Sequence, residues 1–301
     1  MKKPVTLGLL RRAYKEMMRL NYDYFSNMHL GFTPESGYFT AEGMTARELR
    51  KRISENPDLF ADMATKVFLT RMFSAQGCGR LYQRHSSSYQ NVHREARSHL
   101  TVNGMPTFEA DYSSMFLNLA YFLCREENPF FEDGYIPIIK ELGIASTPAT
   151  RDAVKIVVNA ALMTADRIKC SKAINYNYRE THAKVIKDAG LKVADVYNAF
   201  MQVHKRIGPV FKEGNGLVHI LMFHESNILV MNMIELMAGN IDSLALHDAA
   251  IPVLDDRNLE KVPEIMERNY KIYTRGGRVQ VKVKNGPSGI STHDPLIKSF
   301  T

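Results

Sequence analysis

Cysteine is scarce in this chain: Cys78, Cys124 and Cys170 are the only three in 301 residues. They are odd in number, far apart and part of no CxxC pair. That excludes a disulfide framework and a thiolate zinc site and leaves them as small apolar residues of a core. The ten histidines form no HExxH pattern. No apolar run reaches the length of a bilayer span, and charges soon break the apolar patch of the N-terminal MKKPVTLGLLRRAYKEMMRL, against a signal peptide. The expectation is a cytoplasmic protein without a membrane partner. Low-complexity linkers, internal repeats and sharp shifts of composition are missing too. With 45% hydrophobic and 24% charged residues, disordered and fibrous classes are excluded. The length suffices for one large domain or two intimately joined ones.

What the chain does have is positive charge, +7 at neutral pH with a pI near 9.2. An anionic partner is permitted by this, not required. Arg71, Arg80, Arg84, Arg94 and Arg97 lie close together with Tyr82, Tyr89 and several Ser, Gln, Asn and His residues, against a single acid, Glu95. Such a mixture suits phosphates and base or sugar edges; a solvated loop is the plain alternative.

The first quarter reads as helical. Leu49, Ile53, Leu59, Met63, Val67 and Phe68 recur at helical spacing around Pro57, in the run that ends FLTRMF. Gly77 and Gly79 mark a turn into an irregular basic region. Residues 100–111 read as a hairpin about Asn103-Gly104. A buried helix is expected at YSSMFLNLAYFLC. A second is expected over STPATRDAVKIVVNAALMTADRIKC, with Thr147 as cap and Pro148 first, and a third over HESNILVMNMIELMAGN, ended by Gly239. SLALHDAAIPVL reads as a strand that turns at His247-Asp248 and resumes. A helix around VPEIMERNYKIY precedes the strand RVQVKVK, whose Val279, Val281 and Val283 alternate with polar and basic residues.

Two acids sit at strand ends, Asp111 and Asp248. A carboxylate held among apolar neighbours is costly unless paired. Asp111 is either the N-cap of the following helix or a metal ligand. Two carboxylates brought close repel one another unless a divalent cation lies between them, and magnesium takes one or two carboxylates plus substrate phosphates. Arg151 and Lys155, one helical turn apart, suit the remaining phosphate oxygens. Together these are the parts of a phosphoryl- or nucleotidyl-transfer site.

The ordered set GRLYQRHSSSYQN, DYSSMFLNLAY, RDAVKIVVN and LHDAAIPV, from about Gly79 to Val253, resembles the polymerase module of the DNA polymerase I family (family A) and its relatives, the single-subunit phage-type RNA polymerases. The resemblance implies an α+β fold: a right-hand palm with a small antiparallel sheet, helical fingers and a reduced, thumb-like helical N-terminal part. It divides the chain into 1–76 (thumb-like), 77–125 (palm with motif A), 126–206 (fingers with motif B) and 207–301 (palm with motif C). It leaves no room for an exonuclease domain. It implies template-directed synthesis of DNA from dNTPs by a compact enzyme of phage or mobile-element type, with primer-template, nucleoside triphosphates and replication proteins as partners. Asp111, Asp248 and the Tyr112 carbonyl would hold two magnesium ions, with manganese as a substitute. Arg151 and Lys155 would grip the triphosphate, Lys155 also serving the leaving pyrophosphate. Arg80, Gln90, Asn91 and His247 would contact nucleic acid. The sequence departs from the family at Ala249, where DNA polymerase I enzymes carry Glu, and at Asn159 and Met163, where large aromatic residues stand. Phe116 occupies the place of a Glu beneath the incoming sugar, either as a ring that excludes a ribose 2′-hydroxyl or as a core residue. An RNA polymerase or primase on the same palm, and a non-catalytic nucleic-acid-binding palm, are the alternative readings.

Overall fold

At Asn103-Gly104 the backbone enters the left-handed region twice in succession, φ 53° and 78°. Asn and Gly adopt that conformation more readily than other residues, and it folds one strand tightly back on the next. The computed structural model describes residues 30–32, 69–72, 80–83, 89–91 and 100–284, residue 178 excepted. Its strands are β1 (Leu30–Phe32), β2 (Leu69–Met72), β3 (Arg80–Gln83), β4 (Leu100–Val102), β5 (Met105–Pro106), β6 (Glu109–Tyr112), β7 (Ser243–Leu246), β8 (Ala249–Pro252) and β9 (Val281–Lys284). The α-helices are α1 (Met115–Leu123), α2 (Ile136–Glu141), α3 (Pro148–Thr164), α4 (Arg167–Lys172), α5 (Lys184–Asp188), α6 (Val193–Val203), α7 (Leu217–Ala238) and α8 (Asp256–Tyr273). The mixed helix-and-sheet content agrees with the expected α+β class.

The chain divides into two compact units. The first comprises residues 1–112, 226–269 and 281–301, the second 113–225 and 270–280. These breaks fall at 112/113 and 225/226, where the motif resemblance puts them at 125/126 and 206/207.

In the first unit, β1, β4 and β5 form one antiparallel sheet and β2 pairs with β3. The strand β2 corrects the reading of FLTRMF as the end of a helix: Leu69–Met72 pairs in register with Arg80–Gln83, and this cross-strand pairing overrides the local helical spacing. The rest of the expected N-terminal helix lies outside the described residues. The principal sheet runs β7-β8-β6-β9, antiparallel throughout. The expected hairpin of residues 100–111 is therefore shared between sheets: its turn joins β4 to β5, and Asp111 belongs to β6. Tyr112, buried, anchors that sheet, its hydroxyl donating to Met266 O on α8 at 2.7 Å and accepting from Asn232 Nδ2 on α7 at 2.9 Å.

Helix α7 begins earlier than the sequence pattern suggests, at Leu217. Its 22 residues have mean hydropathy 1.3, enough by length and composition to cross a membrane, with 56% of that window buried inside the protein. The expectation that no apolar run reaches spanning length is corrected on this helix; a core helix meets the same criterion.

In the second unit, α3 starts as its sequence implies. Thr147 and Thr150 form a reciprocal capping box and Pro148 takes the first turn. The helix stops at Thr164, short of the expected Cys170, because Ala165 turns left-handed (φ 49°) and Asp166 caps α4 through Lys169 N. Ser114 holds the N-cap position of α1, without a side-chain capping bond, so Asp111 is no helix cap.

His204 lies at the core of this unit with no exposed surface. Its Nε2 is 3.0 Å from Gly134 O, which can only accept, so Nε2 carries the proton and Nδ1 accepts from the Tyr121 hydroxyl at 2.9 Å. Phe130 and Phe200 pack beside it. Burial lowers its pKa from 6.5 to about 4. The unfolded chain takes up that proton below about pH 6.5 while the folded one resists it. His204 therefore contributes full stability above that pH, and up to about 3 kcal/mol is lost as pH falls toward 4. The gap in melting temperature between His204→Gln and wild type should narrow over that range; parallel curves would remove His204 as the cause.

Candidate active site

Strand β6 lies between β8 and β9, and its register places the acids. Asp111 faces Ala249 on one side and Lys282 on the other. Ala249 is the first residue after the two-residue turn His247-Asp248 of the β7–β8 hairpin, so Asp248 comes one position from the residue paired with Asp111. His247 has φ 53°, which lets so short a loop close. Both expected carboxylates thus come to one end of the β6–β8 pair.

Glu109, Asp111, Lys282 and Lys284 alternate onto one face of the sheet, while Ala110, Tyr112, Val281 and Val283 line the other. On the first face the Lys284 ammonium forms an ion pair with Asp111 Oδ2. The sequence showed RVQVKVK as an alternating basic strand, yet not which acid it serves; that follows from a register joining residues 173 apart. No group of three or more His, Cys, Asp or Glu able to hold a metal is found among the described residues. A divalent cation on Asp111 and Asp248 would need further oxygens, which a substrate phosphate provides. The ammonium against Asp111 shows that this carboxylate accepts a cation, so the residues present fit one.

Gln90, one of the expected nucleic-acid contacts, is bonded to the interior. It is 9% exposed, and its Nε2 donates to Leu81 O at 3.0 Å and Ala245 O at 2.9 Å. The buried Tyr89 hydroxyl donates to the same Ala245 carbonyl at 2.6 Å. Residues 89–91 are therefore stitched to β7. A buried amide spends its donors on backbone carbonyls because leaving them unpaired would be costly. Asn91 ends this turn, and Arg80, half-buried, opens β3.

In the second unit, Ala153, Val154, Val157, Val158, Ala161 and Leu162 form the buried stripe of α3. Arg151, Lys155, Asn159 and Met163 follow one another at four-residue spacing on the opposite side; Lys155 is exposed, Met163 49% exposed and the other two half-buried. Arg151 Nε donates to Asp133 Oδ2 at 2.8 Å, and its guanidinium carbon lies 5.2 Å from the Tyr135 ring centre. Neither partner is marked by the motif, since both lie in the loop before α2. Phe116 is the one partly exposed residue between Met115 and Tyr121 on α1.

No family model matches the chain, and no curated protein matches it by sequence. By structure it is similar to the POL domain of Pol1 from M. smegmatis, solved in complex with DNA primer-template and dNTP. The TM-score is 0.52 at 12% identity, over 93% of this chain and 66% of that one. The chain spans about two thirds of that structure's length. The likeness is one of fold, and the fold is polymerase-like.

Lys284→Met should leave Asp111 without its ammonium. Since a partly exposed pair contributes about 0.2 to 1 kcal/mol, Mn2+ binding followed by electron paramagnetic resonance should tighten on the order of 1.4- to fivefold. Equal affinities would show that Lys284 does not compete for the carboxylate.

Proposed function

We propose that this protein carries out template-directed nucleotidyl transfer, extending a primed strand with dNTPs. The observation that carries the reading is the β6–β8 register, which sets Asp111 beside the Asp248 turn in a chain of polymerase-like fold. The DNA primer-template and dNTP bound to the structural neighbour support the same partners here.

Asp111 and Asp248 would hold the cations, with the Tyr112 carbonyl as a further oxygen. Two magnesium ions, or manganese in their place, would supply Lewis-acid stabilisation of the phosphoryl oxygens and a more acidic nucleophile. Lys284 neutralises Asp111 when no metal does. The Tyr112 side chain, bonded to Met266 and Asn232, keeps the strand bearing Asp111 from shifting. Arg151 binds phosphate oxygens through its planar fork and Lys155 through a compact charge. As the primer 3′-hydroxyl gives its proton to water and its oxygen bonds to the α-phosphorus, the bond to pyrophosphate breaks and Lys155 Nζ gives a proton to the leaving oxygen. Arg80, Asn91 and His247 contact the primed duplex.

Asp111→Asn and Asp248→Asn should each abolish primer extension while leaving affinity for primed template within about twofold, since the lost contact acts on metal and transition state. Extension retained at more than a few per cent of wild type would refute the assignment.

Phe116, partly exposed on α1, would lie beneath the incoming sugar, where its ring would collide with a ribose 2′-hydroxyl. Phe116→Ala should still extend with dNTPs and gain ribonucleotide incorporation. Truncating a fully enclosed core Phe instead costs about 3 to 5 kcal/mol of stability. A variant that only melts earlier, or a wild type that prefers NTPs, would overturn this role and favour RNA synthesis.

A further inference from the structure

A free arginine side chain has many rotamers, and ordering it on a ligand costs affinity unless the protein has ordered it already. Arg151 is ordered from two directions. Asp133 Oδ2 takes its Nε–H at 2.8 Å, and the Tyr135 ring lies 5.2 Å below the guanidinium. The terminal amino groups make no hydrogen bond among the described residues, and the side chain stays 29% exposed.

The loop carrying both partners is itself pinned. Asp133 Oδ1 accepts from Tyr135 N at 3.1 Å, so one carboxylate fixes the loop and the arginine together. Ser113 Oγ donates to Glu132 O at 2.6 Å, Gly134 N donates to Ser114 Oγ at 3.3 Å, and His204 Nε2 donates to Gly134 O. The chain approaches α1 so closely at Gly134 that a Cβ there would meet Leu117 Cδ2 at 2.3 Å, so residue 134 has to be glycine unless Leu117 moves.

We propose that Asp133 and Tyr135 are positioning residues that hold Arg151 by its Nε edge and its face, leaving the terminal amino pair set for two oxygens of a triphosphate. Lys155, exposed one turn further along α3, adds a second charge on the same side. The inference rests on the reading above that α3 handles the triphosphate. An ion pair that merely closes the loop onto α3 predicts something different: Asp133 would then cancel the arginine's charge, and removing it would strengthen phosphate binding.

The test compares Asp133→Ala and Asp133→Asn with wild type in primer extension against dNTP concentration, and in calorimetric titration with inorganic tripolyphosphate. The alanine variant should raise the KM for dNTP and weaken tripolyphosphate binding by about tenfold with kcat little changed, as loss of a supporting contact does. The asparagine variant, whose carboxamide oxygen can still accept from Nε, should stay within about threefold of wild type. In an Arg151→Ala background, Asp133→Ala should have no further effect on KM, because the two act as one unit. Tighter tripolyphosphate binding in either Asp133 variant, or a lowered melting temperature with unchanged KM, would overturn the proposal and leave the functional reading standing. A wild-type protein that neither extends a primer nor binds tripolyphosphate would overturn both.

Discussion

Strand β6 is paired along both edges, with β8 and with β9, and the acidic end of the first unit is positioned by that double register. Strand side chains alternate with period two, so a slip of one residue would carry Asp111 to the face now occupied by Tyr112. It would also strip the Tyr112 hydroxyl of its bonds to Met266 and Asn232 and leave those buried groups to find other partners. Specification of the site is therefore not separable from specification of the fold. The tyrosine that follows the aspartate in sequence is what prevents the aspartate from moving.

Features governed by neighbours in sequence were legible in advance. Asn103-Gly104, Thr147-Pro148 and the His247-Asp248 hairpin each carry their chemistry within a few residues, and each forms as read. The ends of α3 illustrate the limit, since its start is set by a cap while its stop at Ala165 has no Gly or Pro to announce it. What escaped depends on distant partners. Leu69–Met72 ends a run read as helical but forms a strand by pairing with β3, and the bonds from the Gln90 amide to the Leu81 and Ala245 carbonyls join it to a partner that no local pattern marks. Lys284 and Asp133 could not be connected with Asp111 and Arg151 from spacing alone, because no local period relates them.

Both candidate charge sites present an ion already matched by an opposite charge, in unlike ways. Asp111 meets a flexible lysine, a compact charge on a long stem that another cation can displace at the cost of a partly exposed pair. Arg151 lies over a ring and meets a carboxylate, in a loop pinned to α1, whose other oxygen is committed to a backbone amide. The first arrangement leaves the aspartate exchangeable and the second leaves the arginine oriented. That difference suits the proposed nucleotidyl transfer, in which metal ions would come and go with substrate while a phosphate clamp would gain from being ordered beforehand.

Helix α7 shows how the same constraint shapes the interior. Its composition would suit a lipid environment, yet Asn232 in its C-terminal half is fully buried and donates its amide N–H to the Tyr112 hydroxyl. A polar group in that place is tolerable only where the fold supplies its partner. That partner lies on β6, next to Asp111. The apolar length of α7 thus serves burial inside the protein, and its Asn232 amide ties the helix to the strand that bears Asp111.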